Sequence, residues 1–183
     1  MNKTTVALTQ EQYCEIINTL RSGFAGQKPA PHTANALLIE ANLGIRVSDI
    51  CKLRLSDIIK DGNRHRLNIT EQKTGKLRTF TVSEQLYNFL CEIDTGDRLI
   101  PVSERQIQRQ LKNTVDYLGY DAQLIGTHSF RKMFATKIYI DNGYNIRLVQ
   151  EKLQHSDTAI TQRYLSIAPE DIETALAGAV NII

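Results

Sequence analysis

RHRLNITEQKTGKLRTFTV, residues 64–82, is the stretch that decides the fold. His65, Leu67 and Ile69 alternate with Arg64, Arg66 and Asn68, the period of a strand with one covered face. EQKTGK, residues 71–76, is polar, carries Gly75 and reads as a turn. LRTFTV, residues 77–82, reads as the returning strand. The stretch is a small antiparallel hairpin, and helical patterns lie on both sides of it.

Upstream, Thr9 with Gln12 forms a capping-box pattern, and Tyr13, Ile16, Ile17, Leu20 and Phe24 follow at helical spacing. Gly23, Gly26, Pro29 and Pro31 break the chain. A second helix is predicted over 32–43, with Leu37, Leu38 and Ala41 inward and Gly44 ending it. A short third helix follows Ser48. Downstream, helices are predicted after Ser83 and after Ser103, where Gln106 completes a second capping box. Others run over 127–141 up to an Asn-Gly stop, from Asn145, around Tyr164, and over 170–178 after Pro169. The expected class is mainly α with a small antiparallel β-sheet (α+β).

A chain of 183 residues supports one good-sized core, and 42% hydrophobic with 23% charged residues is an ordinary globular mix. Cys14, Cys51 and Cys91 lie far apart without metal-ligand spacing, so reduced thiols are expected and no metal site. No apolar run is long enough for a membrane span, and the start MNKTTVALTQ lacks an apolar signal core. A cytoplasmic location with no membrane partner is the expectation. Net charge is only +2, but residues 46–80 carry nine Lys/Arg against four Asp/Glu, and 98–152 carry nine against five. Residues 81–97 and 153–183 are acidic. Alternating blocks suit one basic face, as a DNA-binding surface requires, although scattered surface charge gives the same count.

Several phrases could carry chemistry. In GTHSFRKMFATKIYI, His128 and Arg131 share a face at a helix start, where free N–H groups and a positive partial charge favour an anion. Phe130, Phe134 and Ile138 share another face and are core candidates. In LGIRVSDICKLRLSDI, Arg46 could reach a phosphate while Asp49 holds its guanidinium. Lys73 sits in the hairpin turn. His155 ends a helix in LQHSD, and Tyr164 follows in ITQRYLS. Taken singly, each has a plainer reading: a capped helix start, a surface ion pair, a solubilising lysine, a packed tyrosine.

Their order is more specific. From about Thr9 to Ser166 the chain resembles the tyrosine recombinases of the phage-integrase family. LGIRVSDI is similar to that family's first-arginine motif and QKTGK to its lysine hairpin. THSFRKMFAT is similar to its His-x-x-Arg motif, LVQEKLQHSD to its Leu-Gly-His-Ser segment, and TQRYLS to its nucleophile motif. Three positions depart from the pattern: Phe130 replaces the usual Leu, Lys132 a frequent His, and Gln154 the Gly before the histidine.

The resemblance implies the tyrosine-recombinase catalytic-domain fold over residues 9–168. A short tail, 1–8, precedes it, and a C-terminal helix and tail, 169–183, follow and are exchanged between protomers or packed in cis. It implies a site-specific recombinase, an integrase or invertase, that needs no metal, ATP or other cofactor. Tyr164 would attack a DNA phosphodiester to form a 3′-phosphotyrosyl link. Arg46 and Arg131 would stabilise the phosphorane-like transition state with His155. His128 would accept or orient a proton, and Lys73 would protonate the leaving oxygen. Arg64, Arg66, Lys76, Arg78, Arg105, Arg109 and Lys132 are candidates for DNA contact. Double-stranded DNA is the expected partner, with a monomer in free solution and a tetramer on DNA. Relatives usually carry a further N-terminal helical domain, so either an isolated catalytic domain or a compact recombinase is expected, with weak, salt-sensitive binding. A DNA-binding regulator without catalysis and a type IB topoisomerase are the alternatives.

Overall fold

The computed structural model describes residues 5–72, 75, 77–153 and 158–165, and the chain divides into two compact units, Met1–Phe134 and Ala135–Ile183. The first unit opens with helices α1 (Gln10–Ser22), α2 (Pro31–Leu43) and the short α3 (Val47–Ile50). A 3₁₀ turn at Leu55–Asp57 leads into strands β1 (Ile58–Asp61), β2 (Arg64–Thr70) and β3 (Leu77–Val82). Helices α4 (Glu84–Ile93), α5 (Glu104–Tyr117) and the start of α6 (Thr127–Asp141) complete it. The second unit holds the rest of α6, then α7 (Ile146–Leu153) and α8 (Thr158–Leu165).

The predicted hairpin is β2–β3, paired antiparallel with Leu67 opposite Phe80. A third strand, β1, extends the sheet in the order β1-β2-β3 and sets Ile58 opposite Leu67. IIKD is too short to display a period. The two-residue loop after it is Gly62-Asn63, since Asp61 still pairs with Arg64, and Gly62 takes the positive φ, 58°, that glycine supplies at the first loop position.

Helix ends follow the chemistry of their caps. Both halves of the Thr9–Gln12 capping box form, at 3.2 and 3.0 Å. At α5 only one half does: Ser103 Oγ accepts from the Gln106 N–H at 3.2 Å, and no return bond from Gln106 is present. Pro31 begins α2, where its missing N–H is not needed. Gly44 ends α2 at φ 60°, and a Cβ there would lie 2.3 Å from Phe134 Cδ1. Glycine thus lets α6 press against the chain that leads directly to Arg46.

In the core, α1 packs on α2 and α5, and α2 also packs on α3 and α5. Ile16, Leu20, Leu37, Ile39, Leu111 and Phe130 are fully buried there, each worth about 1.5–3 kcal/mol of transfer free energy. Phe134 and Ile138 are half-buried rather than central. Residues 5–8 are tied down: the Val6 N–H donates to the Leu124 carbonyl at 2.9 Å, and Leu8 is buried.

In the second unit, Asn145 Oδ1 accepts from the Leu148 N–H at 3.2 Å and caps α7. Before it, Tyr144 adopts φ 62° and donates its N–H to the Tyr139 carbonyl at 2.8 Å, ending α6 at the predicted Asn-Gly stop. Helices α7 and α8 pack together, with Val149, Leu153, Thr161 and Leu165 buried. Residues 169–183, with the last predicted helix, lie outside the described residues. No helix among the described residues is long and apolar enough to cross a membrane.

Candidate active site

A cleft of about 460 Å³ opens in the first unit, and Arg46, Ser48, Gln72, Glu104, Gln108 and His128 are among the residues lining it. Two helix starts meet there. Arg46 is the residue before α3, with extended backbone at φ −73° and ψ 147°. His128 is in the first turn of α6, and its neighbour Thr127 also lines the cleft. Helix starts and an arginine on one surface favour an anion. Glu104 is the acidic residue of the rim, and its Oε1 accepts from Gln108 Nε2 at 3.0 Å.

Arg46 is held from one side. Its Nη1 donates to Glu71 Oε2 at 2.5 Å, and its side chain keeps 19% exposure toward the cleft. Glu71, at the base of the hairpin turn, is 0% exposed. Its other oxygen, Oε1, accepts from Arg78 Nη1 at 2.6 Å. The Glu71 carbonyl accepts from the Gly75 N–H at 2.8 Å and closes the turn. Asp49 does not perform the role predicted for it. Its Oδ1 accepts from the Gln72 N–H at 3.0 Å, so it anchors the hairpin backbone just ahead of Lys73 instead of clamping Arg46. The reason is local: Arg46 stands outside α3 on extended backbone, so the helical i,i+3 neighbour relation does not apply.

Arg131 lies one turn along α6 from His128 and is 2% exposed. Its positive field reaches both Arg78 and Glu40 of α2. Glu40 is fully buried, and neither of its carboxyl oxygens meets a hydrogen-bond donor among the described residues. Burial pushes its pKa well above the usual carboxylate range; Arg131 pulls it back and Glu104 pushes it further up.

Two expected DNA contacts are corrected. Arg78 is 4% exposed, with its guanidinium carbon 4.2 Å from the centroid of the Phe80 ring. Burial lowers its pKa first; the Glu71 bond opposes this, and the fields of Arg131 and Arg46 add to the lowering. Lys132 is 3% exposed and donates to the Thr5 carbonyl at 2.5 Å, and burial lowers its pKa as well. Arg64, Arg105 and Arg109 are exposed. Arg66 is half-buried and pairs with Asp61 Oδ2 at 3.2 Å. Lys73, Lys76 and His155 lie outside the described residues. Tyr164 is near the end of α8 in the second unit, half-buried. The first unit therefore brings Arg46 and His128 to one cleft, while Asp49 lines a neighbouring pocket with Gln72 and Arg131 is buried one turn along α6 from His128. Reading the sequence missed Glu71, Gln72, Glu104 and Gln108 as members of the site.

A helical domain with a three-stranded sheet, and a cleft built from arginine, histidine and helix starts, defines a class of protein suited to holding a phosphate group. The chain belongs to the phage integrase family, whose sequence pattern it matches over residues 7–171. It is 30% identical over 145 residues to the probable integrase/recombinase YoeC of Bacillus subtilis strain 168, covering 73% of this chain and 77% of that protein. Its fold matches the XerH site-specific recombinase in a post-cleavage complex with palindromic difH substrate. The TM-score is 0.70 at 18% identity, covering 96% of this chain and 54% of that one. It also matches the Tn1549 transposon integrase in complex with circular intermediate DNA. There the TM-score is 0.64 at 16% identity, covering 93% of this chain and 64% of that one. The chain spans about half the length of several curated relatives it matches.

Proposed function

We propose that this chain cuts and rejoins DNA strands as a tyrosine site-specific recombinase. The observation that carries the reading is the placement of Arg46 and His128 on one cleft, with Arg46 held by Glu71 and Arg131 one turn behind His128. A transferring phosphodiester gathers negative charge on its non-bridging oxygens. Guanidiniums suit that charge because they stay protonated and offer paired donors in a fixed fork. An arginine already fixed from behind stabilises that charge with little reorganisation.

Tyr164 is the nucleophile in this reading. Its hydroxyl oxygen bonds to phosphorus and the 5′-oxygen leaves, giving a 3′-phosphotyrosyl link and a free 5′-hydroxyl. His128 accepts or orients the tyrosine proton, and Lys73 protonates the leaving oxygen. Arg46, Arg131 and His155 hold the phosphate. Rejoining reverses the steps with a hydroxyl from another strand, so bond energy is retained. The integrase and recombinase relatives weigh against both the regulator and the topoisomerase readings.

Double-stranded DNA is the partner, met across Arg64, Arg105 and Arg109 by phosphate contacts more than base contacts. Residues 169–183 link protomers on DNA into a tetramer. Action in the cytoplasm accords with three unbridged cysteines.

The test is a pool of nicked duplex oligonucleotides of randomised sequence, on which cleavage traps the covalent intermediate. Wild-type protein is expected to give a detergent-resistant adduct, and Tyr164→Phe none. Equal adduct from both would reject the assignment.

A further inference from the structure

Strand β3 alternates strictly: Leu77, Thr79 and Thr81 face out, while Arg78, Phe80 and Val82 face in. An arginine thus occupies the core face of a strand. Its partner, Glu71, is more buried still, and each Glu71 oxygen takes one guanidinium, Arg78 at 2.6 Å and Arg46 at 2.5 Å. Stability does not account for this arrangement. Two buried charges and a third that is mostly covered lose more hydration than an apolar trio of the same volume would.

The charge balance suggests what the arrangement does. A carboxylate paired with Arg46 alone would orient that arginine and also cancel its charge. The cleft would then offer an anion a neutral pair. A second guanidinium on the same carboxylate leaves the cluster with net positive charge. Arg46 stays fixed and stays cationic toward the cleft.

We propose that Arg78 is a positioning residue for phosphate transfer: it shares Glu71 so that Glu71 orients Arg46 without neutralising it. The inference rests on the strand-transfer reading. Arg78 is not among the described residues that line the cleft, so its effect is taken to pass through Glu71 and Arg46. An attraction exerted through a shared carboxylate strengthens as the phosphate gains charge, so it acts on the cleavage rate more than on binding.

The experiment uses the full chain and a fixed nicked duplex taken from the adducts of the randomised pool. It compares wild type, Arg78→Met, Glu71→Gln, the double variant and Arg78→Lys. Three quantities are read: duplex affinity at constant salt, the single-turnover rate of adduct formation at saturating duplex, and the melting temperature. Arg78→Met is expected to slow adduct formation tenfold or more with affinity changed less than threefold. Adding Glu71→Gln should recover part of that rate, because no carboxylate then cancels Arg46. Arg78→Lys keeps the charge and should stay within a few-fold of wild type.

A double variant as slow as Arg78→Met would overturn the proposal, as would Arg78→Lys as slow as Arg78→Met. If Arg78→Met does not fold, the double variant is compared with Glu71→Gln alone. With no carboxylate to share, losing Arg78 should change the rate less than threefold, and a further tenfold drop would overturn the proposal. Wild-type protein that forms no adduct anywhere in the pool sinks the strand-transfer reading, and the inference falls with it. A wild-type adduct with an unchanged Arg78→Met rate sinks the inference alone.

Discussion

Glu71 at the base of the hairpin and Glu40 in α2 are both fully buried carboxyls of the first unit, and they are treated in opposite ways. Glu71 is bonded at each oxygen by a guanidinium, within 2.6 Å. Glu40 meets no hydrogen-bond donor among the described residues and feels Arg131 only through its field. A buried carboxylate is tolerated where donors replace its water, and otherwise it keeps its proton. So Glu71 serves as a fixed anion that arranges cations, while burial favours the neutral form of Glu40 and so weakens its hold on the charge of Arg131. Both arrangements keep positive charge available near the cleft, one by sharing an anion and the other by suppressing one.

The contrast is tested most severely at Glu71. Glu71→Ala removes the carboxylate that both guanidiniums share, and should cost about 3–5 kcal/mol of stability in urea denaturation. A loss under about 1 kcal/mol would mean that the two cations reach water, and the contrast with Glu40 would fail.

Glu40 should behave in reverse. Its folded-state pKa is raised above the unfolded value, so the folded protein binds the extra proton more tightly. The stabilisation is present in full below the unfolded carboxylate pKa. It is lost as pH rises from there through the raised folded value. Glu40→Gln, which never ionises, should therefore be more stable than wild type at neutral and alkaline pH, by about 1–3 kcal/mol. The gap should close on acidification toward the ordinary carboxylate range. A variant less stable than wild type at pH 8 would show that Glu40 is held as an anion, like Glu71.

Asp49 is the intermediate case, with one oxygen bonded to the Gln72 N–H and the other meeting no donor among the described residues. Asp49→Asn retains an accepting oxygen, so its cost should stay within about 1 kcal/mol. A larger loss would mean that the carboxylate charge itself supports the hairpin.

The comparison also shows what could be read from the sequence. The hairpin was legible because strand alternation in residues 64–70 is local and unmistakable. Arg46 and His128 were legible from the order of motifs, and the structure places both on one cleft. Glu71 was not, because a polar phrase with a glycine reads as a solvated turn and nothing local marks its first residue as buried. Arg78 was half legible. Its phase with Phe80 and Val82 pointed inward, but its charge suggested the surface, and only a partner seven residues away reconciles the two. Lys132 was misplaced because its acceptor, the Thr5 carbonyl, is remote in sequence. Asp49 was misassigned because nearness to Arg46 in sequence does not reveal the remote Gln72 N–H that its carboxylate meets instead.

The most direct test of the account is to locate the covalent bond itself. Wild-type protein would be trapped on the nicked duplex, digested, and the nucleotide-bearing peptide sequenced by mass spectrometry. The account predicts a 3′-phosphate linked to Tyr164 in the peptide containing YLSIAPEDI, residues 164–172. A link to any other residue, or a 5′-linked adduct, would contradict it.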